Sequence, residues 1–295
     1  MRLALFVTAL LAIFPSAAGA SHLGSYKARL VAVGDIACAP GEPVTSVSCQ
    51  QKATYDLAAG LKPDRVLVLG DNQYESGSLA DYQSSYALSW GKFKSKTFPV
   101  PGNHEYGTLG AAGYFSYFGS LAGSAGRGWH SSAIGGWRVI GLNSNCDQVG
   151  GCQKGSAQEK YLRSKLYNDR SRLCTLALWH HPRFSSGQHG DNAQTEDLWQ
   201  ALQDYDAELV LSGHDHAYER FLAMNSDGTG GSGMSSFVVG GGGRSLYPIA
   251  HSRPNSTGYS LSFGVLRIDL YSKGYSWRYY RTNKSSTDHG SQSCS

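Results

Sequence analysis

The stretch Leu211–Arg220, LSGHDHAYER, follows the apolar run AELV (207–210) and sets histidines at 214 and 216, where a buried strand turns into a loop. Four other apolar runs end in the same manner. RLVAVGD (29–35), DRVLVLGD (64–71), FPVPGNH (98–104) and CTLALWHH (174–181) each run out into an aspartate, asparagine or histidine, most of them through a glycine or proline. Short apolar runs bounded this way read as buried strands. In an α/β sheet, ligands collect beyond the carboxyl ends of the strands, because loops there present side chains without breaking the ladder. Glycines 34, 70 and 213 each stand immediately before a candidate ligand, which favours a tight turn.

Between the strands the period changes to that of a helix. SAQEKYLRSKLYND (156–169) puts Leu162 and Leu166 on one face behind a capping box of Ser156 and Glu159. EDLWQALQDY (196–205) repeats the spacing with Leu198, Ala201, Leu202 and Tyr205. This alternation predicts the α/β class, with parallel pairing where the units connect. After Tyr218 the texture is strand-rich: FVV (237–239), FGVLRIDLY (263–271) and YSWRYYR (275–281), the last two joined by a hairpin turn within YSKGYS. The glycine-rich stretches are short and no repeat appears, so residues 21–295 read as a single domain. The polar tail NKSSTDHGSQSCS (283–295) reads as loose unless Cys294 ties it down.

The first 20 residues point to export. Arg2 is a minimal basic head, Leu3–Phe14 an apolar core and Ala18-Gly19-Ala20 a small-residue cleavage motif, the pattern of a signal peptide over 1–20. A membrane anchor needs roughly 20 continuous apolar residues, and Pro15 and Ser16 interrupt the run too early. No anchor is expected after cleavage, and the location reads as secreted, periplasmic or extracellular. Six cysteines with no C-x-x-C pair favour disulfides over a structural zinc site. Their pairing stays open; short loops favour Cys38 with Cys49 and Cys146 with Cys152, leaving Cys174 for Cys294. A net charge of +4 without a run of Lys or Arg gives no sign of nucleic-acid binding, and no protein partner is legible.

Read singly, a Gly-Asp is a turn, an Asn-His a loop and a histidine after a strand a satisfied polar group. Five such motifs in order, each at a strand end, form a constellation. GDIA (34–37), GDNQY (70–74), GNHE (102–105), WHHPRFSSGQH (179–189) and GHDHAYER (213–220) resemble those of the calcineurin-like metallophosphoesterases. Within that superfamily the chain is most similar to the purple acid phosphatases, for which a tyrosine three residues after the aspartate of GDNQY is the specific mark. Two positions depart from the usual pattern: Ala37, where the family has glycine, and Asp215, a variation common in the wider superfamily.

The resemblance implies a four-layer α/β/β/α sandwich, two mixed sheets flanked by helices, in a minimal member without the amino-terminal domain of the large plant enzymes. It implies two metal ions. Asp35, Asp71, Tyr74 and His216 would hold the first, which is ferric iron in the family. Asp71 would bridge to the second, Zn, Mn or Fe, completed by Asn103, His180 and His214. A carboxylate can bridge, neutral imidazole suits zinc or iron, and a phenolate suits a highly charged ion. An extended loop would put residues 214 and 216 on one side, each serving a different ion. His104 and His189 match outer histidines that bind phosphate and assist the leaving group.

The activity implied is a secreted phosphatase acting on small phosphate monoesters by direct attack of a hydroxide held by the metals. An exported phosphodiesterase or nucleotidase with two divalent ions is the alternative, and a non-catalytic binder of phosphate ligands a third reading. His181 is expected outside the donor set, and Arg183 either at the substrate mouth or in a surface salt bridge. Glu219 and Arg220 are expected to brace the GHDHAYER loop. Trp129, His130, Trp137 and His251 read as structural.

Overall fold

Each of the five runs that end in a candidate ligand is a strand, and the side-chain alternation within them decides the layers. A computed structural model describes residues 22–168, 174–231 and 233–294; the signal peptide expected over 1–20 lies outside the described residues. Three strands come first, β1 (Tyr26–Val33), β2 (Arg65–Leu69) and β3 (Thr97–Val100), paired in parallel. The chain then builds a second sheet from β4 (His130–Ile134), β5 (Trp137–Gly141), β6 (Thr175–Leu178), β7 (Leu209–Ser212), β8 (Tyr218–Met224), β9 (Met234–Val239) and β10 (Ser256–Ser260). It returns to the first sheet with β11 (Gly264–Tyr271), β12 (Gly274–Arg281) and β13 (Ser286–Ser293).

The strand orders are β13-β12-β11-β1-β2-β3 and β10-β8-β9-β7-β6-β5-β4. Both sheets are mixed. The βα units pair in parallel as expected, whereas β11 runs antiparallel to β1, and β8 antiparallel to β9. In β1 and β2, Leu30, Ala32, Leu67 and Leu69 enter the core between the sheets, where they meet Leu176, Leu178, Leu209 and Leu211. The intervening Val31, Val33, Val66 and Val68 pack in the layer that holds Tyr82 and Tyr114 of the short helices α2 (Leu79–Ser84) and α3 (Ala112–Phe118), together with Ala58 of α1 (Gln51–Gly60). On the other side, α4 (Ala157–Asn168) and α5 (Glu196–Gln203) place Leu162, Leu166, Leu198, Ala201 and Leu202 against Ile140, Ala177 and Val210 of the second sheet. Sheets buried on both faces need apolar residues at nearly every position, which is why these strands read as continuous apolar runs. The four-layer α/β/β/α sandwich is the observed fold.

Two expectations change in detail, and the polar tail, tied down by Cys294 as the sequence allows, gains a structure of its own. At the start of α4 the Ser156 hydroxyl accepts from the Glu159 N–H at 3.2 Å, but Glu159 reaches the Gly155 N–H and Arg163 rather than completing the box. The polar tail is a strand: β13 pairs with β12 along its length. Arg220 does not brace its own loop. It grips Asp288 of β13 through two nitrogens at 2.7 and 3.1 Å, and the Tyr218 hydroxyl donates to the same carboxylate at 2.6 Å. Trp129 and Trp137 are buried and the His130 ring bonds the Pro99 carbonyl, structural placements as expected. No helix among the described residues is long and apolar enough to cross a membrane.

All three disulfides pair as the short-loop reading expects: Cys38–Cys49, Cys146–Cys152 and Cys174–Cys294. Their separations of 11, 6 and 120 residues make a test of what the long one does. In the loop-entropy description the 120-residue closure stabilises by about 2.5 kcal/mol more than the 6-residue one. Cys174→Ser with Cys294→Ser should therefore lower the unfolding free energy in urea well beyond Cys146→Ser with Cys152→Ser, with a steeper slope as the released chain expands on unfolding. Equal losses in the two double variants would show that β13 is held by its pairing and by Asp288 instead.

Candidate metal centre

The centre forms where β1, β2, β3, β6 and β7 all end on the same edge of the sandwich. The loops after β1 and β2 run together: the Asp35, Ile36 and Ala37 N–H groups donate to the Gly70, Asp71 and Asn72 carbonyls at 2.9–3.1 Å. The turn is made differently from the expectation. Asp35, Asp71 and His214 themselves take left-handed backbone angles, φ 61°, 46° and 72°, and of the three preceding glycines only Gly70 does so, at 88°. Gly213 is required for close approach instead, since a Cβ there would lie 2.7 Å from Asp35 Oδ2. Nor is 214–216 extended; the Asp215 N–H turns back to the Gly213 carbonyl at 2.9 Å.

Two sets of donor atoms converge, and they share one oxygen. In the first, the Tyr74 hydroxyl lies 3.0 Å from Asp35 Oδ1, 3.1 Å from Asp71 Oδ2 and 3.0 Å from His216 Nε2. In the second, His180 Nε2 lies 3.3 Å from the same Asp71 Oδ2, 3.1 Å from Asn103 Oδ1 and 3.2 Å from His214 Nδ1. All seven residues expected at the metals are thus brought together. Asp35, Asp71, Tyr74, His180 and His216 are buried, Asn103 is exposed, and His104 and His189 line the open side.

The remaining bonds aim lone pairs inward. His180 Nδ1 faces the Leu69 carbonyl at 2.8 Å, so it carries the hydrogen and leaves Nε2 free; His216 Nδ1 is likewise engaged by the Ser245 hydroxyl at 2.9 Å. Asp35 Oδ2 accepts the His214 N–H at 2.9 Å, and Asp71 Oδ1 the His104 N–H at 2.8 Å. Around Tyr74, two carboxylate oxygens and an imidazole nitrogen then crowd a hydroxyl that has a single proton to give. A buried surplus of lone pairs is the donor chemistry of a cation site, and the residues present fit two metal ions.

Electrostatics agree. Burial, then the Asp35 and Asp71 carboxylates, push the Tyr74 phenol well above its ordinary value, so a phenolate there needs a strongly charged cation. Burial opposes a charge on His180, but the Asp71 carboxylate holds its pKa up at about 9; without metal, a proton takes the place of the cation. Burial, and then the neighbouring His180, hold His214 far below the ordinary histidine range and His181 down at about 3, leaving both neutral.

The outer histidines flank the two sets, His104 half-buried and His189 exposed. His104 Nδ1 faces the Glu75 carbonyl at 2.6 Å, which turns Nε2 toward Asp71 at 3.9 Å, and its ring packs on Tyr74. The His189 ring lies against that of His214, centroids 4.2 Å apart. His181, expected outside the donor set, sits beside it, its ring 4.4 Å from that of His214 and its Nδ1 2.8 Å from the Ser144 hydroxyl. Arg183 is not at the mouth: it pairs with Glu196 and donates to the Ser226 carbonyl, both at 2.9 Å.

Several working residues had no legible role in the sequence. Tyr247 stacks flat on His216 at 4.0 Å, and the Arg244 guanidinium lies over the Tyr74 ring at 5.3 Å while pairing with Glu42 and Glu75. Glu105, although part of the quoted GNHE motif, is the largest omission. Its buried carboxylate accepts from the N–H groups of Asp71, Asn72, Gln73 and Gly102 at 2.6–3.3 Å and from the Tyr82 hydroxyl at 3.0 Å. A glutamate following an Asn-His pair is the only signal that could have found it.

Two mixed sheets with a twin donor set at their common edge define a metallophosphoesterase. The calcineurin-like phosphoesterase family matches residues 28–218, and the chain belongs to it. Purple acid phosphatase 15 of Arabidopsis thaliana is 27% identical over 269 residues, covering 79% of this chain and 48% of its own. The chain thus spans about half the length of that curated relative. Purple acid phosphatase PPD1 from yellow lupin (Lupinus luteus) seeds superposes with a TM-score of 0.75 at 20% identity, over 91% of this chain and 54% of that one. GAP50, the anchor in the inner membrane complex of Plasmodium, does so at 0.66 and 14% identity, over 92% and 90%. At these identities the two structures attest the fold.

Glu105 supplies the test of this geometry. Glu105→Gln would turn an amide NH2 toward N–H donors and leave buried backbone groups unpaired, each costing about 1–3 kcal/mol. The variant should lose at least about 2 kcal/mol of stability and bind metal more weakly at both sites, read by denaturation and by metal analysis. Wild-type stability with two metal equivalents would remove Glu105 as the organiser of the loops.

Proposed function

We propose that this chain is a binuclear metal-dependent phosphatase that hydrolyses phosphate monoesters, exported by its first 20 residues and active as a single domain over 21–295. The observation that carries the reading is Asp71 Oδ2, one buried oxygen within 3.3 Å of donors from both sets. The two purple acid phosphatases similar to the chain support the same class. Iron at Asp35, Asp71, Tyr74 and His216 fits the phenol among two carboxylates; Zn, Mn or Fe fits the Asp71, Asn103, His180 and His214 set. Bound there, two ions supply acidified water and neutralise the oxygens of a transferring phosphoryl group.

The chain's own residues do the rest. Asp71 fixes the spacing of the two sets, and the rings of His180 and His216 are locked by Leu69 and Ser245. His104, with Nδ1 committed to Glu75, offers Nε2 to a phosphate oxygen at the open side. His189, exposed beside His214, offers a proton to the departing oxygen. An anchoring role on this fold, described for GAP50, keeps a non-catalytic reading in the comparison. The complete donor sets and both outer histidines favour the enzyme. A panel of monoesters, diesters and nucleotides on metal-analysed protein separates it from the diesterase and binding readings.

Asp71→Ala should abolish turnover and empty both sites, whereas Asp35→Ala and His180→Ala should each spare the site they do not serve. Two retained equivalents in Asp71→Ala would end the bridging assignment.

Tyr74 carries the iron assignment. A ferric phenolate absorbs visible light, so the iron-loaded protein should be coloured and Tyr74→Phe should bleach it while keeping the ring packing. Activity should fall less than in Asp71→Ala, because Asp35, Asp71 and His216 still hold the ion. A band that survives Tyr74→Phe, or no band in the iron-loaded wild type, would end the ferric-tyrosinate reading and leave a two-metal phosphoesterase with divalent ions at both sites.

A further inference from the structure

Asp215 stands between His214 and His216, yet neither of its oxygens joins a donor set. It is 1% exposed. Oδ2 accepts the Ser185 hydroxyl and Oδ1 accepts the His189 N–H at 2.9 Å; the Ser185 oxygen in turn accepts the Gly187 N–H at 3.0 Å. Glycine at 187 is forced by this contact, since a Cβ would lie 2.2 Å from Asp215 Cγ. Glu219, expected to brace its own loop, reaches the same segment, accepting the Ser186 N–H at 2.9 Å. The side chain of His189 has no hydrogen bond among the described residues, only ring contacts with His214 and Tyr247.

We propose that Asp215 is the positioning residue for His189: by holding the Ser185–His189 backbone, it ties the proton-donating rim to the loop that carries two metal ligands. This rests on the leaving-group reading of His189. An exposed histidine between Gly187 and Gly190 has wide backbone freedom. Proton transfer needs heavy atoms about 2.6–3.2 Å apart, and a displacement of about 1 Å can cost a hundredfold. One buried carboxylate bonded to Ser185 and His189, with Ser185 in turn bonded to Gly187, supplies the required precision. Because Asp215 is flanked by His214 and His216, His189 is placed relative to the metals themselves.

The test compares Asp215→Ala, Asp215→Asn, Gly187→Ala and His189→Ala in metal-loaded protein, on alkyl phosphates with poor leaving groups and on activated aryl phosphates. Asp215→Ala should keep both metal equivalents, lower kcat about 10- to 100-fold for the alkyl esters and change the aryl esters by less than about threefold. Asp215→Asn, which keeps an acceptor for the His189 N–H, should recover most of the loss. Gly187→Ala strains the contact from the other side and should reproduce it. Combined with His189→Ala, Asp215→Ala should add nothing. The His189 amide should exchange hydrogen faster in Asp215→Ala and Gly187→Ala, in metal-free protein as well.

If His189→Ala discriminates between the esters but Asp215→Ala and Gly187→Ala do not, the positioning role is wrong. Metal loss in Asp215→Ala would also overturn it. If His189→Ala costs both ester classes equally, the leaving-group reading falls, and the exchange rate of the His189 amide alone decides whether Asp215 holds the segment: unchanged exchange refutes it.

Discussion

A single buried carboxylate, that of Glu105, holds together the loops on which the metal centre stands. Burial, then the nearby Asp71 carboxylate, push its pKa up to about 7, and the Gly102 N–H leads the interactions that pull it back. Four backbone donors and a tyrosine hydroxyl leave neither oxygen free. The acid spans the loops after β2 and β3, so Asp71 and His104 move as one body. Their direct link, the His104 N–H on Asp71 Oδ1, then has a fixed length of 2.8 Å rather than the range of two separate loops. Concentric N–H groups around an anion form a nest, here filled by the protein's own carboxylate so that Asp71 Oδ2 is left for the ions.

The second constraint is the packing of one sheet on the other. The first sheet brings Asp35, Asp71, Tyr74, Asn103 and His104 to the edge, the second His180, His189, His214 and His216. Neither sheet alone holds a complete donor set. Leu67 and Leu69 meeting Leu176, Leu178, Leu209 and Leu211 in the core therefore fix the distance across each set, and a close-packed interior transmits such distances faithfully. Backbone bonds sew the seam at the site itself: the Gly34 N–H donates to the Val239 carbonyl at 2.8 Å and the Arg244 N–H to the Asp35 carbonyl at 3.1 Å.

What was legible in the sequence follows from which information is local. A buried strand followed by a candidate ligand is written in about eight consecutive residues, so β1, β2, β3, β6 and β7 were readable, as were the seven residues that the fold brings together. The hairpin β4–β5, the edge strand β10 and the tail strand β13 were not. Ser286–Ser293 has no apolar period, and its conformation comes from the backbone of β12 and from Arg220. Glu105 and Asp215 escaped for a different reason. Each acts on N–H groups of residues about 30 positions away, and a backbone donor has no identity in a sequence. The turns misled too: strand-end glycines signal a sharp bend, but the left-handed angles fall mostly on the ligands themselves.

Charge separates the two donor sets more sharply than geometry does. The second set has Asn103, His180 and His214, which would meet a cation as neutral donors once the His180 proton is displaced, and shares one carboxylate, a complement suited to a divalent ion. The first has two carboxylates and a phenol that burial and those same carboxylates keep protonated in the absence of metal. Ionising Tyr74 would collect three negative charges in a buried volume, and Arg244 over its ring is already committed to Glu42 and Glu75. Only a cation held in the set could offset that concentration, and each added positive charge would favour the phenolate more strongly where water is excluded. On the proposed reading, a trivalent ion and the Tyr74 phenolate stabilise one another, and the shared Asp71 communicates that choice to a second site content with a divalent neighbour.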